Sequence, residues 1–126
     1  MANPNILNAT SVYGNVTYLI PTATSATTWT SLTPAVGTVN RIDYIMAANV
    51  TGTAATITVS VNSATAGGGT AYRIAFQIQV PANTTLILSD KSTAIYLGES
   101  QSIVVTSGTT NAIELTASYE AITGPA

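Results

Sequence analysis

The chain has 126 residues and a mass of 12.8 kDa, with three basic and five acidic residues and neither His nor Cys. Those absences exclude disulfides, thiolate or imidazole metal sites and histidine acid–base chemistry. Three cations are too few to neutralise a nucleic-acid backbone, so no nucleic-acid partner is expected. A compact chain of this mass exposes about 6,300 Å², roughly a third of its extended surface, which predicts one core and a single domain over residues 1–126.

The start, Met1-Ala2-Asn3-Pro4-Asn5, has neither the basic nor the apolar region of a signal peptide. No apolar run approaches the roughly 20 residues of a spanning helix, so no membrane partner is expected either. Residues 1–13 alternate weakly and read as an N-terminal arm that carries Ile6, Leu7, Val12 and Tyr13. Such an arm could bury those side chains by adding to a neighbour's sheet edge; the competing reading makes residues 6–13 the first strand of their own sandwich.

From there the period is two, the mark of half-buried strands. Short strands are predicted over 16–20 and 26–32, then a long one from Ile42 with Tyr44, Met46 and Ala48 inward and Arg41, Asp43 and Asn49 outward. Residues 54–61 and 71–80 form a hairpin around the loop 62–70, which contains Gly67, Gly68 and Gly69 and is long enough to be mobile or to touch a partner. Its apolar parity places Ile57, Val59, Ile74, Phe76 and Ile78 in the core, with Thr58 and Gln77 facing out. Shorter strands follow over 86–89, 94–97 and 103–106, and a last one carries Ile113, Leu115, Ala117 and Tyr119 inward and Glu114 outward. Thr-rich strands punctuated by Gly, Pro and Asn turns predict an all-β chain, a single antiparallel β-sandwich, jelly-roll-like, of about eight strands.

A search for chemistry finds little. The glycine run 67–69 leads into Thr70-Ala71-Tyr72 and a strand, where a phosphate loop would need Lys-Ser/Thr and a helix. Glu114 and Glu120 lie about 20 Å apart along one strand, too far for paired acid–base work, and Asp43 reads as a surface ion pair with Arg41. No Asp-x-Asp cluster offers a calcium site. No catalytic residue, metal or cofactor is expected. A sugar-binding sandwich would stack glycans on exposed rings. Tyr18, Tyr44, Tyr72, Phe76 and Tyr119 fall on core parity, which leaves Tyr13, Tyr96 and Trp29. Trp29, in a polar stretch, reads as an anchor at a sugar or protein contact, or else as a core or subunit-interface ring.

Four stretches carry a family resemblance: Ala2-Asn3-Pro4-Asn5-Ile6, Gly69-Thr70-Ala71-Tyr72-Arg73-Ile74-Ala75, the block from Val80 to Gly108, and Glu114-Leu115-Thr116-Ala117-Ser118-Tyr119-Glu120. In these the chain resembles small virion structural proteins of tailed phages, especially cyanophages. The resemblance implies a non-enzymatic component at the surface of the phage particle. Its expected role is capsid decoration (cement): binding the outside of the major capsid shell, commonly as a homotrimer. A neck, tail or fibre-base component fits the same likeness, and a carbohydrate-binding module is the alternative outside it. The candidate interface is Ile6, Leu7, Val12, Tyr13, Trp29, Gly67, Gly68 and Gly69, toward the major capsid protein or another virion protein.

Overall fold

A computed structural model describes residues 3–125, so the first two residues of the expected arm lie outside the described residues. Among the described residues nine strands form two antiparallel sheets: β1 (Ser11–Leu19), β2 (Thr27–Thr28), β3 (Thr38–Asn49), β4 (Ala55–Asn62), β5 (Ala71–Val80), β6 (Thr85–Ser89), β7 (Ile95–Leu97), β8 (Ser102–Ser107) and β9 (Ile113–Thr123). The first sheet runs β1-β9-β3-β6 with β7 also on β3, and the second runs β2-β8-β4-β5. Each chain crossing from one sheet to the other follows the double Greek key of a jelly roll. The ninth strand arises because β6 and β7 lie end to end along β3, split by a 3₁₀ turn at Lys91–Thr93 that Asp90 caps. The total exposed area, 6342 Å², matches that of one compact body.

The core forms where the inner faces of the sheets meet, around Ile42, Ile45, Ile57, Val59, Ile103 and Leu115. Trp29 is its largest ring, 1% exposed, and reaches it from the segment after β2. Of the two readings of Trp29, the core one holds and the surface anchor is corrected: the ring lies with Leu32 among apolar residues of both sheets.

Two bulged strands break the simple alternation. In β3, Ile42 faces Tyr119 while Tyr44 faces Ser118, so Asp43 is an extra residue on its strand. Inward positions therefore pass from Ile42 to Ile45 and Ala47, and Tyr44 turns outward. In β5 the register against β4 shifts twice, from Ile78 to Ala75 and then to Arg73. Gln77 takes a positive φ of 48° there, and its amide donates to Thr58 Oγ1 at 2.9 Å. Ala75 and Val80 face the core; Phe76, expected in the core, is 58% exposed, Ile78 and Tyr72 are exposed too, and Ile74 is only half-buried. Ile57, Val59 and Leu115 are buried, and Gln77 and Glu114 face out, as their parity predicts; Tyr119 is half-buried.

Candidate interaction surface

The N-terminal segment is fastened to its own domain. Ile6–Asn8 make one 3₁₀ turn whose cap, Asn5, accepts the Leu7 amide on its side chain at 3.0 Å. The Asn5 amide donates to the Pro125 carbonyl at 2.6 Å, and that of Thr10 to the Thr123 carbonyl at 2.8 Å. From Ser11 the chain is strand β1, paired with β9 from Ser11↔Thr123 to Leu19↔Leu115 without a break. Val12 and Tyr13 therefore belong to the sandwich, as the competing reading of this segment has it. Ile6 and Leu7 project from it, Leu7 at 91% exposure.

The loop 62–70, long enough to be mobile or to touch a partner, is tied to the sandwich by hydrogen bonds. Asn62 Nδ2 donates to the Gly67 carbonyl at 2.9 Å, and Gly67 donates its amide to Ser102 Oγ at 3.0 Å. The Ser102 hydroxyl donates in turn to the Ala64 carbonyl at 2.7 Å. Gly67 and Gly69 have positive φ, at 77° and 70°, and a methyl group on Gly67 would come within 2.6 Å of Thr28 Oγ1. The glycines are thus explained by close packing and by backbone conformation.

Loop 98–101 joins these parts at one end of the sandwich. Glu99 Oε2 accepts the Gly37 amide at 2.8 Å, and a methyl group on Gly98 would stand 2.7 Å from Asn3 Oδ1. The Gly37 amide holds the Glu99 carboxyl below its ordinary pKa. The N-terminal segment, through Asn3, thus meets this loop, and the loop 62–70 meets Ser102 at the start of β8 just after it. Val36, exposed to 75%, lies on the same end. Of the candidate interface residues, Ile6, Leu7, Gly67, Gly68 and Gly69 share this end, Val12 and Tyr13 lie along β1, and Trp29 is in the core.

The outer face of the first sheet is the feature that sequence reasoning missed. Register places Tyr18, Thr116, Met46 and Ile87 in one row across β1, β9, β3 and β6, and Val16, Ser118 and Tyr44 in the next. Neither row holds a charge. Beyond them lies the row Gly14, Glu120, Arg41 and Tyr96. Arg41 stands 3.5 Å from Glu120 and 3.6 Å from Asp43, which is buried and not at the surface as expected. Aromatic rings assigned to the core by parity, Tyr18 and Tyr44 here and Tyr72 and Phe76 on β5, are exposed. For Tyr44 and Phe76 the cause is the bulge in each strand, which exchanges inside for outside without changing the local apolar pattern.

Among the described residues no cleft opens between the sheets, and no three His, Cys, Asp or Glu side chains gather as metal ligands. What the geometry offers is contact surface.

No protein-family model matches the chain, and neither does any curated protein sequence. Among solved structures, "Structure of infectious bursal disease virus Gx strain" aligns over 93% of this chain and 32% of that one, at 13% identity and a TM-score of 0.47. The chain thus spans about a third of that protein's length, and the likeness is too remote to transfer a function.

Proposed function

We propose that this chain is a non-enzymatic virion structural protein, a capsid decoration protein that binds and stabilises the outside of a phage shell. The observation that carries the reading is the apolar surface of a chain with only eight charged residues: exposed Leu7 and Val36 at one end, and two uncharged rows across a sheet. Exposed apolar patches of this kind mark protein contacts. The family resemblance supplies the kind of partner. The jelly roll agrees with it, since that fold serves viral shells, although it serves lectins as well. The sugar-binding reading loses Trp29, which is in the core, and keeps the exposed rings Tyr13 and Tyr96. Docking is assigned to the end of the sandwich that carries the N-terminal segment and the loop 62–70.

Purified particles test the reading. The chain should be present in a fixed ratio to the shell protein, and recombinant chain should rebind stripped particles. A Leu7→Asp, Val36→Asp double variant should stay folded and rebind at least tenfold more weakly. Absence from particles would overturn the function. Rebinding by the double variant as strong as that of the unaltered chain would overturn the docking end alone.

A further inference from the structure

Sheet edges invite pairing, and folded proteins blunt them with bulges, charges, short strands or covering segments. Three of the four edges here carry such devices. Strand β2 has two residues; β5 is bulged twice and carries Arg73; and the β6–β7 edge is interrupted at Asp90 and Lys91. Strand β1 carries no bulge; Asn15 Nδ2 donates to its own Tyr13 carbonyl at 3.2 Å, and Ser31 meets the Thr17 hydroxyl on the inner side. The strand is nine residues long, keeps an unbroken register with β9, and contains no charge and no proline. Among the described residues it pairs on one side only.

We propose that β1 pairs with β1 of a second copy, antiparallel about a two-fold axis at Asn15, joining the two first sheets into one. The strand is self-complementary in that register. Its midpoint is Asn15, so this centre alone pairs all nine residues. On the outer face it sets Val12 opposite Tyr18 and Gly14 opposite Val16, and on the inner side Tyr13 opposite Thr17. Aromatic–β-branched pairs are among the favourable cross-strand neighbours, and no like charges meet. The glycine leaves room for valine at the closest outer approach to the axis. The pairing also continues the uncharged row Ile87, Met46, Thr116 and Tyr18 into Val12 of the other copy, so the outer faces merge. A partner of different sequence would need a code in the edge to select it, and an edge without charge supplies none.

The edge is about 31 Å long and one side chain deep on either face, a few hundred Å² per copy. That is below the roughly 800 Å² per partner of a standard interface, so dissociation in the micromolar range is expected. The inference does not rest on the virion reading, and it predicts a dimer where the family resemblance implies a trimer.

Sedimentation of the full chain against concentration tests it. The unaltered chain should pass from monomer to dimer over about 1–100 µM. Asn15→Lys and Asn15→Glu each place like charges opposite one another across the axis, and each should weaken dimerisation about tenfold or more. An equimolar mixture of the two should restore it. A chain monomeric throughout, a trimer, a dimer indifferent to both substitutions, or a mixture that stays monomeric would overturn the pairing. If either charge variant fails to fold, Asn15→Cys decides, since the chain has no other thiol: mild oxidation should link it into a covalent dimer, and its failure to do so would overturn the proposal.

Discussion

The side chain of Asn49 donates to the carbonyl of Val80 at 3.0 Å, bridging the end of β3 to the end of β5 from a position that is 2% exposed. Its amide also reaches the Thr53 carbonyl at 2.9 Å, while its oxygen accepts from the amide and hydroxyl of Thr51 at 3.0 and 2.7 Å. Every hydrogen-bonding group of this amide is therefore used in knitting the end of the sandwich opposite Leu7. Removing it strands the buried Val80 carbonyl, at about 1–3 kcal/mol, and breaks the part-buried bonds to Thr51 and Thr53. Asn49→Ala should lower stability by about 2–4 kcal/mol in urea unfolding. A loss below about 1 kcal/mol would show that water takes over these bonds.

Phe76 and Ile57 separate the two sides of the second sheet. Phe76 is exposed with the Arg73 guanidinium 5.4 Å from its ring centre, whereas Ile57 is wholly enclosed. Phe76→Ala should cost less than about 1 kcal/mol, the range of an exposed cation–π contact. Ile57→Ala should cost about 2–5 kcal/mol. Equal losses at the two positions would mean that β5 runs in the unbulged register.

That contrast shows where the sequence was legible. Strand positions followed from a period of two with turn residues between, and β4 as far as Val59 and β9 as far as Ala117 kept their predicted faces, whereas Ser60 and Ile122 beyond them are buried against parity. Strands β3 and β5 each contain insertions relative to a neighbour, and a bulge leaves local composition untouched while exchanging inside for outside beyond it. Tyr44 and Phe76 were misplaced for this reason. For Trp29 local sequence left core and surface both open, since its burial is settled by β8, about 75 positions away in the chain, whose Ile103 carbonyl takes the Trp29 amide at 2.8 Å. The outer-face rows joining Tyr18, Met46 and Ile87 are likewise a product of pairing, so no window of sequence displays them.

Gly69 and Gly14 should respond oppositely to alanine. Gly69 has a φ of +70°, and an added methyl group would press on Ser63 Oγ and stand 2.9 Å from the Ala64 amide nitrogen. Gly14 has an ordinary φ and nothing within 4 Å of that position. Gly69→Ala should destabilise by about 1–3 kcal/mol through strain. Gly14→Ala, measured at low protein concentration, should be neutral or stabilise by about 0.4–1 kcal/mol through the unfolded chain. The pair is checked by thermal unfolding of both variants beside the unaltered protein.

The response to acid follows from two carboxylates. Asp90 accepts the Ser92 hydroxyl at 2.6 Å and the Ser92 amide at 3.0 Å, and these bonds, the hydroxyl's foremost, hold its pKa below the ordinary 3.8. Glu99 is held below its ordinary 4.5 chiefly by the Gly37 amide. A carboxylate whose pKa is lower folded than unfolded adds stability above its unfolded value, and that contribution disappears as pH falls through the folded value. With no His or Cys in the chain, no side chain of those types titrates near neutrality. The urea midpoint should therefore be flat between about pH 5 and 8 and fall below about pH 4. Asp90→Asn with Glu99→Gln should start from a lower midpoint at neutral pH and lose less on acidification. If the doubly substituted chain falls as steeply below pH 4 as the unaltered one, the acid sensitivity resides in other carboxylates, and the caps at Asp90 and Glu99 hold no charge-dependent stability.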